Sequence, residues 1–167
     1  ADIELLNSYE AERKGHAHDF VDWSVSIGML MEHLAATEAA KSQGLEPPPM
    51  SAALKSSGYG QGRESPPLKD GVVLADQIQE DSITGTLSNQ PTLMDGRRLD
   101  DLLGPDFSLV CTDPSSIDQT LAAHLGVSII DRTEVHVAKG RLSGMNCDGV
   151  LYRPDKYIFG HTDNTYT

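Results

Sequence analysis

Three consecutive prolines, Pro47-Pro48-Pro49, set the first limit on what this chain can build. A proline ring fixes φ and removes a backbone donor, so no helix continues through them. Before them, apolar residues fall at Phe20, Trp23, Ile27, Leu30, Met31 and Leu34. Steps of three and four place these on one helical stripe. Leu5, Leu6 and Tyr9 extend the stripe backwards, and Gly15 is a candidate bend, because glycine weakens a helix interior by about 1 kcal/mol relative to alanine. The reading is a helical segment over residues 1–43 with no start signal of its own, as expected of a piece of a longer chain. A stripe of that size calls for a covering partner, either a second copy or the rest of the fold.

Residues 44–70 are rich in Pro, Gly and Ser and read as an arm, with a short helical turn at Met50–Lys55. The "GYGQGR" within it lacks GxGxxG spacing and has neither a strand before it nor a helix after it, so it reads as a loop rather than a phosphate cradle.

Residues 71–167 carry mixed α/β signals. "TLMDGRRL" predicts a hairpin turning at Asp95-Gly96. "LDDLLG" predicts a short helix closed by Gly104, and "FSLVC" a buried strand. "DPSSIDQTLAAHLG" has capping residues, a helical apolar pattern and Gly126 as a stop. "VSII" is the next strand, and "GVLYRPDKYIFG" gives two strands around Pro154-Asp155. A strand–helix–strand unit crosses over right-handed into a parallel pair, and a closing hairpin adds antiparallel strands. That outline is a thioredoxin-like sheet, so the expected fold class is α/β: a thioredoxin-like C-terminal domain preceded by a long N-terminal helix and a Pro/Gly-rich arm.

The chain has 167 residues and a net charge of −12, which repels nucleic-acid phosphates and anionic lipid surfaces. No run approaches the roughly 18 apolar residues of a membrane span. Cys111 and Cys147 form no CxxC pair, and a reduced, cytoplasmic setting is expected. Cys111 stands between a strand and a helix, where a thiol can be activated, but Asp113 beside it disfavours a thiolate. It reads as a small buried apolar side chain. His16 and His18, two apart, do not share a helix face and are not a metal pair. No cluster of residues has the spacing of a catalytic or metal site, so the catalytic, cofactor and metal assignments are all none. The structural or interface candidates are Tyr9, Glu12, Arg13, Trp23, Arg153 and Asp155. Tyr9 and Arg13, four apart on the charged opening helix, suit a helix-to-body clamp. Arg153 and Asp155 belong to the closing hairpin; a guanidinium there also suits a substrate carboxylate, which is the alternative role for Arg153.

"LLNSYEAERKGHA" resembles the stretch that follows the flavin-binding part of FAD-dependent aromatic-ring hydroxylases of the p-hydroxybenzoate hydroxylase-like class, with Asn7 where Asp is usual in "LLDSYExERxxxA". "ESPPL", "DGRRLDDLLGPDFSLV" and "VLYRPDKYIFG" follow in the same order, and the pattern is most similar to 3-(3-hydroxyphenyl)propionate hydroxylase-type enzymes. The resemblance spans Ile3 to about Gly160. It implies the C-terminal region of an FAD- and NAD(P)H-dependent monooxygenase acting on a phenolic compound. This region is expected to serve packing and dimer contacts, to bind no cofactor itself, and to be inactive alone. Its implied partners are the rest of the parent flavoprotein and a second copy of it. The rival readings are a stand-alone thiol or peroxide protein built on Cys111, and a binding module.

Overall fold

A computed structural model describes residues 3–50, 65–79 and 82–162, with side chains from Leu6 onward. The turn expected at Met50–Lys55 and the "GYGQGR" loop lie, from Ser51 on, outside the described residues. The chain forms two compact units, Arg13–Pro66 and a larger one built from Ala1–Glu12 with Pro67–Thr167.

The long helix α1 runs Ile3–Ser42. The helix is not broken near Gly15: it continues through that position, where an added Cβ meets nothing within 4 Å. One poor helix former does not break a helix of 40 residues. Within the smaller unit His16, Phe20 and Trp23 make an edge-to-face ladder, with centroids 4.8 and 5.9 Å apart. His16 Nε2 also lies 3.0 Å from the Pro66 carbonyl oxygen, so the ring is a buried structural group. Leu30 is buried, but Met31 and Leu34 are about half exposed, so the stripe fades toward its end. The helix stops in a Schellman turn: Gly44, at φ 67°, donates to Lys41, and Leu45 donates to Ala40. The three prolines follow.

The larger unit is built on a four-stranded sheet. Its strands are β2 (Phe107–Cys111), β3 (Val127–Asp131), β5 (Gly149–Tyr152) and β6 (Ile158–Thr162), in the order β3-β2-β5-β6. β2 and β3 are parallel, joined by a 3-10 turn at Pro114–Ser116 and helix α3 (Gln119–Leu125). β5 is antiparallel to β2 and β6 to β5. The strand–helix–strand unit and the closing hairpin stand where the sequence places them. Asp118 caps α3 by accepting from Thr120 and Leu121 N–H groups, and Gly126 ends it at φ 68°.

Register explains the core. Ser108 pairs with Tyr152 and Val110 with Val150, so these four share one face of the pleat. Helix α2 (Leu99–Leu103) covers that face with Leu99 and Leu103, and Leu142 and Ile158 complete the cluster. The fully buried Ser108 hydroxyl donates to the Leu103 carbonyl, 2.6 Å away, which gives a helix-end acceptor a partner.

Two features depart from the sequence expectation. The Asp95-Gly96 turn is present, but its return arm makes only a single bridge, Thr92 to Arg98, before entering α2. The burial of Leu99 and Leu103 wins over a longer hairpin. β1 (Thr92–Leu93) pairs instead with β4 (Val137–Lys139) in a separate two-stranded sheet. Second, residues after the arm are tied to the sheet edge. Gly85, Thr86 and Ser88 exchange backbone hydrogen bonds with Ile158 and Lys156, and Leu68 donates to Gly85. Leu68, Val73 and Tyr157 form a second small core there.

Candidate functional site

The charged centre of the larger unit is a hairpin turn. Arg153 N–H donates to Tyr157 C=O and Lys156 N–H to Arg153 C=O, with Lys156 at φ 68°. Pro154 occupies the position its fixed φ suits. This turn sends Arg153 and Asp155 to the same side. The guanidinium meets two carboxylates. Nη1 and Nη2 donate to the two oxygens of Glu12 on α1, at 2.6 and 2.9 Å. Nε and Nη2 donate to the two oxygens of Asp155, at 3.0 and 2.9 Å. The fifth N–H, on Nη1, donates to the Val72 carbonyl at 2.9 Å. A guanidinium has five donors, so all are used. Glu12 Oε2 also accepts from Val72 N–H at 3.0 Å.

Gly71 makes this approach possible. It sits at φ 93°, and a Cβ built on it would lie 2.5 Å from both Cβ and Oε2 of Glu12. Burial opposes the charge on Arg153, but Glu12 and Asp155 outweigh it and raise the guanidinium above its ordinary value. Arg153 and Glu12 are both more than nine-tenths buried, while the Asp155 side chain is one-third exposed. Chemically this is a three-way clamp. A substrate carboxylate would have to displace Glu12 or Asp155 to reach Arg153.

Of the six sequence candidates, the fold brings together Glu12, Arg153 and Asp155. Tyr9 is exposed in the larger unit, and Arg13 and Trp23 are half-buried in the smaller one. Glu12, the residue beside Arg13, is the α1 side chain that Arg153 grips. Sequence reasoning missed Gly71 and Val72, and "KDGVV" offers only a Gly as a hint. It also missed a polar network between Gln77, Thr84 and His161. Gln77 donates to the His161 carbonyl at 2.6 Å, and the Thr84 hydroxyl donates to Gln77 Oε1 at 3.1 Å. With that proton committed, Thr84 accepts from His161 Nδ1, also 3.1 Å away. No sequence spacing points to these three residues.

Cys111 is buried and free. Burial pushes its thiol up, and the Asp131 and Asp113 carboxylates push it further, against a smaller opposing effect of Arg132. Thiolate chemistry is disfavoured at this position. Among the described residues no group of histidine, cysteine and carboxylate side chains is placed to hold a metal ion, and no helix is long and apolar enough to cross a membrane.

No protein-family model and no curated protein matches the sequence. Solved structures do. A crystal structure of aklavinone-11 hydroxylase in ternary complex with FAD and aklavinone aligns over 98% of this chain and 32% of its own, with a TM-score of 0.56 and 17% identity. The two share a fold. This chain spans about a third of that hydroxylase. Looser alignments exist to RebC-10x soaked with chromopyrrolic acid (TM-score 0.48, 19% identity, 96% of this chain and 34% of that one) and to OxyS anhydrotetracycline hydroxylase from Streptomyces rimosus (TM-score 0.33, 22% identity, 49% and 18%).

Proposed function

We propose that this chain is the C-terminal part of an FAD- and NAD(P)H-dependent aromatic hydroxylase that acts on a phenolic compound. Its own role is structural, through packing and contacts between copies of the parent enzyme. The observation that carries the reading is the shared fold with a structure holding FAD and aklavinone, along nearly the whole chain. The ordered motifs "SYEAER", "DGRRLDDLLGPDFSLV" and "RPDKY" support it independently. The larger unit is read as thioredoxin-like: a parallel pair joined through a helix, extended by an antiparallel hairpin in the order β3-β2-β5-β6, supports that class. Between β3 and β5 the chain passes instead through a 3-10 turn at Arg132–Glu134 and β4. The Arg153 clamp fits the structural role, since every donor is spent inside the chain. The rival based on Cys111 has against it a buried thiol pushed upward between two carboxylates. Two cysteines held as thiols rather than as a disulfide fit a cytoplasmic enzyme.

The test is the reading frame upstream of the codon for Ala1. A strand followed by a Gly-rich loop and a helix, the dinucleotide-binding arrangement, is the expected finding. A start codon at that point with a stop codon before it would overturn the proposal.

A further inference from the structure

Below the sheet end at Arg132 the larger unit holds a cleft of 820 Å³. Its wall is apolar, with Val137, Leu142 and Met145, and its ionisable side chains are all basic: Arg132, His136 and Arg141. No carboxylate lines it, in a chain with 25 acidic and 13 basic residues excluding histidine. Arg132 is the unusual member. Its Nη1 donates to the carbonyls of Met145 and Cys147, but its buried Nε and Nη2 have no hydrogen-bond partner. Among the described residues no carboxylate lies within ion-pair distance of it. Arg132 is half-buried, and donors left without partners are costly, so its guanidinium favours a negative charge nearby in the cleft. Arg141 is exposed at the cleft and has no ion pair among the described residues.

We infer that this cleft binds a small amphipathic anion, with an apolar, preferably aromatic, body against Val137, Leu142 and Met145 and an acidic group toward Arg132 and Arg141. The volume lies in the range of small-molecule sites, about 300–1,000 Å³, and an apolar wall with a few converging polar groups is their usual chemistry. A thioether such as that of Met145 favours an aromatic body through sulfur–ring contact. The inference stands on this cleft alone and holds whether or not the chain belongs to a flavin hydroxylase.

The probe is 8-anilinonaphthalene-1-sulfonate, titrated into the full chain by fluorescence, with uncharged N-phenyl-1-naphthylamine as its comparison. Near-UV circular dichroism checks that each protein is folded. The expected result is one saturable site that prefers the sulfonate. Arg141→Glu and Met145→Glu, both at exposed positions, should each weaken it by at least about tenfold. Lys41→Glu, the same charge change on α1, should leave it within about twofold. Equal affinity for the uncharged dye, several sites per chain, or equal weakening by all three variants would overturn the inference.

Discussion

Arg153 has five N–H groups, and each meets an acceptor. Removing the guanidinium takes two charged hydrogen bonds from the buried Glu12 carboxylate, and breaking a buried pair of this kind costs about 3–5 kcal/mol. Arg153→Met should therefore shift the urea midpoint by that equivalent. Glu12→Leu combined with Arg153→Met should cost less than the two single changes added together, because the two residues share one ion pair and the second change has less of it left to break. A cost below about 1 kcal/mol for Arg153→Met would mean that the clamp contributes no more than a surface ion pair. Cys111 gives a pH prediction. Its thiol is raised in the fold, so above the usual thiol range, near 8.5, the unfolded chain releases its proton first. The folded chain then binds more protons than the unfolded one, and stability falls as pH rises. Urea midpoints from pH 8 upward should decline more steeply for the wild type than for Cys111→Ala. Parallel curves would show that this thiol is not held protonated by the fold.

Secondary elements were legible where local chemistry fixes them. Gly126 ends α3 where the sequence places the stop, although the helix begins after Asp118 and leaves Ile117 outside it, and "FSLVC" reads as the buried strand it is. Asp118→Ala should cost about 1 kcal/mol, the usual loss of an N-cap, seen as a lower melting temperature with an unchanged fold. The β1–β4 pair was not legible, because two strands of two and three residues carry no period and meet across more than forty positions. The edge formed by Gly85, Thr86 and Ser88 escaped notice for the same reason: its hydrogen bonds go to Lys156 and Ile158, far along the chain. Gly85 shows how tightly that edge is fitted. It sits at φ 78°, and an added Cβ would lie 2.1 Å from the Leu68 carbonyl oxygen. Gly85→Ala should cost more than the roughly 1 kcal/mol of left-handed strain alone, because backbone rather than a movable side chain stands in the way. The comparison is Gly126→Ala, where φ is 68° but nothing lies within 4 Å. Equal melting temperatures for the two variants would remove the packing argument. The clamp itself was half legible. Glu12, Arg153 and Asp155 stood out as charged residues in patterned segments, but nothing local pairs a glutamate with an arginine 141 positions later.

At the scale of the whole chain, the shared fold with an FAD-containing hydroxylase raises the question of whether this portion touches flavin unaided. Binding the pyrophosphate of FAD takes backbone N–H groups at a helix N-terminus, brought close by glycines in the turn after a strand. Among the described residues the one parallel strand–helix unit leaves β2 through Thr112-Asp113-Pro114 and reaches α3 through Asp118. That connection has no glycine, and it carries two carboxylates where a phosphate would sit. The Asp118 side chain already occupies the first N–H groups of α3. Asp113 is held below the usual carboxylate range by hydrogen bonds from the Ser115 hydroxyl and N–H, so it stays charged at neutral pH and repels an anion. The isolated chain mixed with FAD and passed through a desalting column should therefore emerge without the flavin's visible absorbance. Asp113→Asn should not restore binding, because the missing glycines and not the charge alone exclude the pyrophosphate. A stoichiometric yellow complex from the wild-type chain would show that FAD is held by residues of this portion, and the structural role proposed for it would fall.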